Sequence, residues 1–267
     1  MPVSPRSTRT FYPYYLRLLK GFRNGLQMSL AFRTGSPCAK AVLWDGTRLV
    51  HPPDRAGLVE TIIEVWMMRG YTRDDWAVPF YTPADGDVVL DVGANVGLFS
   101  IWLARRNPGL RVVALEPFRE NFQCLQANLR SARACGVEAH RAAIGGRDGV
   151  GSMVARGDRS LDHMLAPDPA AGAEDDIPVL RLSSVLDLAK SERIALLKMD
   201  VEGSEHDAFA SADEATLSRC DRIAVEYHDG IRPGTLAMLQ EKLKATHALT
   251  ICEDDGFGMV YAVRLAS

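Results

Sequence analysis

An apolar strand that runs directly into a glycine turn is the feature that most constrains this fold. Residues 88–100 read VVLDVGANVGLFS, so an apolar run meets Gly93 and Gly97 and then continues as a helix-forming segment. A strand, a glycine turn and a helix make up the first half of a βαβ unit, which belongs to a parallel sheet covered by helices. Sheets of this kind bind ligands at the carboxyl ends of their strands. The segment therefore predicts an α/β fold with a cofactor crevice at the turn.

The spacing of the glycines argues against a dinucleotide site. Gly93 and Gly97 are separated by three residues, and Ala94 and Asn95 stand where the fingerprint G-x-G-x-x-G needs its second glycine. Asp91, immediately before the turn, would repel a phosphate but attract a cationic amino group. S-adenosylmethionine carries an ammonium group, a sulfonium group and no phosphate, so it fits this turn better than a nicotinamide dinucleotide does.

A second acidic residue marks the end of the next apolar run. Glu116 closes residues 112–116 and follows Asp91 by 25 positions. An acid at the end of this strand can accept hydrogen bonds from both hydroxyls of a ribose. Together with Asp91 and the glycines, Glu116 indicates a cofactor that contains adenosine.

The remainder of the chain repeats short apolar runs between helical stretches. This pattern predicts a mostly parallel sheet, with strands at 88–91, 112–116, 138–143, 195–200, 223–226, 249–252 and 259–263. Upstream of the sheet we expect an amphipathic helix over 14–32, a hairpin over 41–50 and a helix ending near Gly70. The proline-, alanine- and acid-rich stretch 157–178 has no period and is expected to be a loop.

Charged residues are concentrated at the ends of two strands predicted to lie beside the crevice. Lys198, Asp200 and Glu202 share one face if the strand at 195–200 stays extended, and Glu226 and His228 follow the next strand with the same alternation. A cluster of this kind suits the place where substrate and cofactor meet. A purely structural pairing of Lys198 with Glu202 is the alternative.

The distribution of charge divides the chain into regions. The formal net charge is −3, yet residues 1–44 hold seven basic residues and no acidic one, which leaves an acidic body. An acidic body disfavours broad binding to a nucleic-acid backbone. We divide the chain into a basic amphipathic arm at 1–44, a cap of hairpin and helix at 45–82 and the main domain at 83–267. The arm could pack as a lid, join a second subunit or lie on an anionic membrane.

Four blocks of sequence, in order, resemble the FkbM family of class I methyltransferases. They comprise residues 91–97, Glu116 and Pro117 with Asn121 and Asn128, the segment LKMDVEGSE at 197–205 and VEYH at 225–228. The resemblance runs from about residue 83 to 262. It implies a Rossmann-like seven-stranded sheet with the order 3-2-1-4-5-7-6. It also implies S-adenosylmethionine as the cofactor and, in most members, O-methylation of polyketides, sugars and other natural products.

The same resemblance assigns the cofactor site residue by residue. Asp91, Gly93, Ala94, Asn95 and Gly97 would line the methionine end of S-adenosylmethionine, and Glu116 would hold its ribose. The adenosine would be flanked by Pro117, Phe118 and Asn121 and, near the adenine, by Ala143 and Ile144.

The leading hypothesis is therefore an O-methyltransferase of small-molecule hydroxyls. His228 is the expected base because imidazole titrates near neutral pH. Asp200 either orients it or takes the proton, and Glu226, Glu202 and Lys198 complete the catalytic set. No resident metal is expected, and a divalent ion on Asp200, Glu226 and His228 is the rival scheme.

Other functions on the same fold stay open. They are N-methylation or nucleic-acid methylation, a nicotinamide-dependent oxidoreductase, and a non-catalytic protein that binds a cofactor or a membrane surface. The five cysteines are scattered and form no CxxC pair, which favours reduced thiols and a cytoplasmic location. A homo-oligomer and peripheral membrane contact through the basic arm are the partners considered beside the small-molecule acceptor.

Overall fold

The computed structural model describes residues 8–52, 57–68, 70–73, 79–155, 163–165, 176–254 and 257–266. A seven-stranded sheet forms its centre, and seven segments pair in the order β12-β13-β11-β10-β3-β4-β5. These are β3 (Val88–Val92), β4 (Arg111–Leu115), β5 (Val137–His140), β10 (Leu196–Met199), β11 (Arg222–Tyr227), β12 (His247–Asp254) and β13 (Phe257–Arg264). The pairs β10–β3, β3–β4, β4–β5 and β10–β11 are parallel, whereas β13 runs antiparallel to both of its neighbours.

This sheet confirms the class I methyltransferase topology expected from the sequence. If its strands are numbered one to seven along the chain, the observed order is 3-2-1-4-5-7-6. The central strand β3 is buried along its whole length because helices cover both faces of the sheet. The helices that follow the strands are α4 (Leu98–Arg106), α5 (Arg119–Ala132), α6 (Leu182–Leu188), α7 (Glu205–Ala210), α8 (Glu214–Ser218) and α9 (Thr235–Leu243).

The strand expected at 138–143 is two strands that belong to different sheets. β5 ends at His140, and β6 (Ala143–Ile144) joins a second sheet in the order β6-β9-β7-β8. Its other members are β7 (Gly149–Ala155), β8 (His163–Leu165) and β9 (Asp176–Leu180). The expectation of a loop over 157–178 is therefore wrong at 163–165 and from Asp176 onward, where β9 alternates buried and exposed positions. The rest of that stretch lies outside the described residues.

The single helix expected over 14–32 is a pair of helices. α1 (Thr8–Gly21) and α2 (Gly25–Thr34) are separated by a turn, because Gly25 packs so closely on the backbone of Leu18 that a side chain at position 25 would overlap it. The Asn24 side chain then bonds the carbonyl of Lys40 and the amide of Val42. This ties the turn to the hairpin of β1 (Lys40–Val42) and β2 (Arg48–Val50), which confirms the strand pair expected there.

The N-terminal arm and the cap share a hydrophobic core with one face of the sheet. Leu18 and Met28 are fully buried in the same cluster as Leu58 of α3 (Gly57–Ile62) and Ile101 of α4. Past Ile62 the cap helix widens into a π-helix, Ile63–Met68. The arm also keeps apolar side chains on its surface, Leu16, Leu19, Leu26 and Leu30. No helix in the described ranges has both the length and the apolar character to cross a bilayer.

The glycine turn after β3 is held against the end of β10. Gly93 has a φ of 77°, in the region that favours glycine, and a Cβ there would overlap the carbonyl group of Asp200. The amide of Asp200 in turn donates to the carbonyl of Val92. The two strand ends that carry the predicted cofactor and acceptor residues are thus in backbone contact.

We expect Gly93→Ala to destabilise the protein far more than Gly86→Ala does. Gly86 has a similar φ of 83° but open space around its Cα, so its substitution measures the conformational cost alone, about 1 to 2 kcal/mol. The steric overlap with Asp200 adds to that cost at position 93. Urea unfolding of both variants gives the difference, and equal losses would contradict the close packing of the two strand ends.

Candidate active site

The core of the site is a buried ion pair between two neighbouring strands. Asp91 on β3 and Lys198 on β10 face each other in register, with Nζ 3.3 Å from Oδ1. The Asp91 side chain is completely buried and also accepts a hydrogen bond from the Ser100 hydroxyl at 2.6 Å. Lys198 Nζ donates to the carbonyl oxygens of Gly93, at 2.5 Å, and Val92, at 3.4 Å. Lys198 therefore holds the glycine turn through these two backbone carbonyl oxygens.

Charge keeps this lysine ionised in spite of its burial. Burial alone would lower the pKa of Lys198, but the carboxylates of Asp91 and Asp200 outweigh that effect and raise it. A lysine held in the protonated form cannot act as a base. Its contacts make it a positioning residue for the turn, and its ion pair is with Asp91.

Glu116 lies just beyond β4 with its carboxylate folded onto the glycine turn. Oε2 accepts from the amide of Asn95 at 2.8 Å, and Oε1 accepts from the amide of Phe118 at 3.0 Å and from the Asn121 side chain at 3.5 Å. Burial raises the pKa of Glu116 to about 7, although the two backbone hydrogen bonds and Lys198 oppose the shift. Oε2 accepts one of these hydrogen bonds and has a second lone pair that a ribose hydroxyl can meet.

The crevice suits a ligand that carries both hydroxyl and amino groups. Asn95 has a φ of 50°, and its buried side-chain oxygen makes no hydrogen bond within the described residues. A buried carbonyl oxygen without a partner is costly, so it indicates a donor supplied by a ligand. With Glu116 beside it, this arrangement fits the hydroxyl and ammonium groups of S-adenosylmethionine.

A second group of charged side chains lies next to the turn, past the ends of β10 and β11. The Tyr71 hydroxyl donates to Asp200 Oδ2 at 2.9 Å and approaches Glu226 Oε2 at 3.3 Å. Its ring also lies 5.0 Å from Lys198 Nζ, so Tyr71 lies beside the lysine as well as the two carboxylates. Burial, followed by the charges of Asp200 and Glu64, raises the pKa of Glu226 well above its ordinary value.

His228 is fixed by a buried carboxylate. Its Nδ1 lies 3.1 Å from Oε1 of Glu205, which also accepts the His228 backbone amide at 3.0 Å. The other nitrogen, Nε2, faces Glu202 Oε2 at 3.7 Å and Glu226 Oε1 at 3.9 Å. Burial alone would lower the pKa of His228, but the bond to Glu205 and the charges of Asp200 and Glu202 raise it to about 10. In the ligand-free protein the imidazole thus carries a proton at neutral pH.

The predicted charged residues come together, though not by simple strand alternation. β10 ends at Met199, so Asp200 and Glu202 lie in a loop, and Glu202 adopts a φ of 52°. Lys198 points toward Asp91 and the turn, while Asp200 joins Glu226 and His228 around Tyr71. The alternation expected from 198 to 202 is wrong because the chain leaves the sheet before it.

The cap supplies two residues that sequence reasoning missed. Tyr71 follows the π-helix, and Glu64 belongs to it. The Glu64 residue is exposed, yet desolvation by neighbouring protein atoms and the negative charge of Asp200 raise the pKa of its carboxyl to about 7. A π-helix often marks a functional position, but no sequence pattern shows it. Both residues lie in the stretch 45–82, which the sequence predicted only to be a cap.

The residues expected around the adenosine fall into two groups. Pro117 and Phe118 follow Glu116 directly, and Asn121 is buried at the start of α5. Ala143 and Ile144 are buried in β6, where they pair with β9 and pack into two hydrophobic clusters. Their contact with an adenine stays a prediction.

Several proteins with a similar sequence are named as methyltransferases. A family model described as a methyltransferase FkbM domain matches residues 91–245. The 31-O-demethyl-FK506 methyltransferase of Streptomyces tacrolimicus is 32% identical over 173 residues, which cover 54% of this chain and 66% of that protein. Methyltransferase 1 of Beauveria bassiana is 29% identical over 164 residues, with the same coverage. The chain thus spans just under two thirds of the length of these two relatives.

Among solved structures, the precorrin-6y C5,15-methyltransferase of Geobacter metallireducens matches with a TM-score of 0.42 and 14% identity. The match covers 68% of this chain and 82% of that one.

The ligand-free protein should lose stability between pH 5 and pH 8 through Glu116. Because the pKa is raised in the folded state, the folded protein binds this proton more tightly than the unfolded chain, and stability falls as pH rises from about 4.5 through 7. The expected loss in the free energy of unfolding is about 3 kcal/mol. Glu116→Gln has no such proton, so its melting temperature should fall less over this range.

The control is Glu120→Gln, because Glu120 is exposed in the first turn of α5; this variant should follow the parent protein. If the melting temperatures of Glu116→Gln and the parent changed by the same amount from pH 5 to pH 8, burial of the Glu116 carboxylate would not be the cause of the pH dependence.

Proposed function

We propose that this chain, which belongs to the FkbM methyltransferase family, uses S-adenosylmethionine to transfer a methyl group to a hydroxyl of a small natural product or sugar. The observation that carries the proposal is the contact between two strand ends. The cofactor turn at Gly93 touches Asp200, and Asp200 belongs to the cluster with Glu226 and His228. A candidate proton acceptor thus lies beside the turn at which the methyl donor would bind.

Each element of the crevice has a role in holding the cofactor. Asp91 anchors Lys198, Lys198 holds the carbonyls of the turn, and Glu116 accepts the ribose hydroxyls. S-adenosylmethionine, when bound, would supply an electrophilic methyl group, and its sulfur would keep the electron pair of the broken carbon–sulfur bond. Holding the two reactants in contact supplies much of the acceleration.

Asp200 is the group we propose as the proton acceptor. An aliphatic hydroxyl is too weak an acid to ionise unaided, so its proton must leave as the oxygen bonds to the methyl carbon. His228 was the expected base, but the raised pKa leaves it protonated at neutral pH. Tyr71 holds Asp200 by one oxygen, and the other can take the proton. In this scheme His228 orients the acceptor and offsets the charge of Asp200, Glu202 and Glu226.

An acidic cluster favours O-methylation over N-methylation. A neutral amine attacks through its own lone pair and can lose its proton afterwards to water, so it needs no positioned base. A hydroxyl does need one. The 31-O-demethyl-FK506 methyltransferase, whose name indicates an oxygen acceptor, is among the similar proteins, and it supports the same assignment.

Asp91→Asn should weaken S-adenosylmethionine binding about tenfold to a hundredfold, which corresponds to roughly 1.5 to 3 kcal/mol. The amide keeps the shape of the side chain but removes the charge that holds Lys198 beneath the turn. Titration calorimetry measures the change, with Asp85→Asn as the matched control because Asp85 is exposed on the loop before β3. Unchanged affinity in Asp91→Asn, or equal binding of NAD by the parent protein, would exclude the proposed cofactor role.

Asp200→Asn should lower methyl transfer to a hydroxyl acceptor about a hundredfold while cofactor affinity stays within a factor of a few. The measurement is turnover of labelled S-adenosylmethionine across a panel of hydroxylated and aminated acceptors. Asp207→Asn, an exposed carboxylate on α7, serves as control. A variant that retains full activity would remove Asp200 from proton transfer, and preference for the amines would make the protein an N-methyltransferase.

A further inference from the structure

Three metal-ligating side chains converge past the ends of β10 and β11. One ligand atom each from Asp200, Glu226 and His228 lies within 4.8 Å of the other two. Carboxylate oxygens with one imidazole nitrogen make a donor set for a divalent cation such as Mn²⁺ or Mg²⁺. We propose that this cluster binds one divalent cation, which in turn holds the acceptor hydroxyl beside the methyl donor. The second part rests on the proposed function, whereas the binding of the cation does not.

The imidazole is oriented as a metal ligand. Glu205 is completely buried, and it is held by the backbone amides of Gly203 at 2.8 Å and His228 at 3.0 Å. From there it meets Nδ1 of His228 at 3.1 Å. A histidine that donates Nδ1–H to a carboxylate holds Nε2 in one fixed direction, which is the usual arrangement behind a metal-bound imidazole. Binding of the cation would displace the proton that Nε2 carries in the ligand-free protein. Here Nε2 points toward Glu226 and Glu202.

Tyr71 arranges the two carboxylates around one point. Its hydroxyl lies 2.9 Å from Oδ2 of Asp200 and 3.3 Å from Oε2 of Glu226, and Tyr71 itself is buried. A single hydroxyl has one proton, so it can satisfy only one of these oxygens at a time. The other oxygen of Glu226, Oε1, lies 3.9 Å from His228 Nε2, and one ligand atom of Asp200 lies within 4.8 Å of one from each of these residues.

The cluster holds more carboxylates than basic groups, which favours a bound cation. Carboxylates of four residues lie around His228: Asp200, Glu202, Glu205 and Glu226. Lys198, the nearby lysine, is already paired with Asp91. Like charges only a few ångströms apart in a partly buried site repel strongly. A divalent cation in the centre converts this repulsion into coordination.

The cation would also assist the transfer. A hydroxyl bound to a divalent metal is more acidic than a free one. With the cation bound to Asp200, the proton would pass to Glu202, which is not one of the three ligands and lies 3.7 Å from His228 Nε2. The O–H electron pair stays on the oxygen, which forms the new bond to the methyl carbon. No oxidant or reductant takes part. Because the cluster contacts the glycine turn, a hydroxyl held there is next to the cofactor.

Mn²⁺ binding to the full chain tests the proposal without any acceptor. Titration followed by electron paramagnetic resonance should show one bound ion per chain, and pulsed measurements should show nitrogen coupling from His228. His228→Gln should abolish that coupling, and Asp200→Asn should weaken binding at least tenfold. Asp207→Asn, outside the cluster, should bind Mn²⁺ like the parent. Binding that is absent at millimolar Mn²⁺, or unchanged in both cluster variants, would overturn the proposal.

Glu205→Gln separates orientation from a general structural role. It keeps an oxygen near His228 but removes the charge, so Mn²⁺ should bind about tenfold to a hundredfold more weakly, with the nitrogen coupling retained. S-adenosylmethionine affinity, measured on the same sample, confirms that the variant is folded. If cofactor and Mn²⁺ affinities fell together, the effect of Glu205 would be structural and the orienting role would be rejected.

The two proposals fail in different ways. Bound Mn²⁺ with nitrogen coupling, but no methyl transfer to any hydroxyl, supports the cation site and rejects the proposed reaction. Methyl transfer that continues unchanged after exhaustive chelation, with S-adenosylmethionine bound normally, supports the reaction and overturns the cation site.

Discussion

The buried pair of Asp91 and Lys198 is the interaction on which the site depends. Each residue lies near the middle of a parallel sheet, where an unpaired charge would cost several kcal/mol. The pair therefore fixes β3 against β10 at the point where both strands end. Lys198 uses its other donors on the carbonyls of the glycine turn. The conformation of the cofactor loop thus follows from a buried charge pair.

From this anchor the site extends in two directions with different chemistry. Toward β4, Glu116 and the amides of Asn95 and Phe118 form a polar pocket suited to a ribose. Toward β11, the chain places Asp200, Glu226 and His228 around Tyr71, where negative charge dominates. The cofactor's sulfonium and ammonium groups are cationic, and the acceptor side is acidic. Both directions therefore favour bound positive charge, which is consistent with a methyl donor and with a divalent ion.

The cap links the N-terminal arm to the chemistry. Leu18, Phe22 and Met28 of the arm pack in the same hydrophobic cluster as the cap helix and α4. The cap helix ends in a π-helix that contains Glu64. Tyr71 comes after the π-helix in the sequence and lies in the site. The arm, interpreted as a lid, an oligomer arm or a membrane-surface helix, is thereby part of the scaffold that positions Tyr71. Because the arm also has exposed leucines, each of these three roles stays a prediction.

Local patterns were enough to determine the parallel sheet, the glycine turn and the positions of Asp91 and Glu116. Strand alternation and turn chemistry act over a few residues, so they are legible in the sequence, and the resemblance to a family supplied the strand order. The partners of the charged residues depended on the tertiary structure. Lys198 pairs across the sheet with a residue 107 positions earlier, and Tyr71 reaches Asp200 from 129 positions away. Such contacts are set by packing between distant segments, and no local periodicity encodes them.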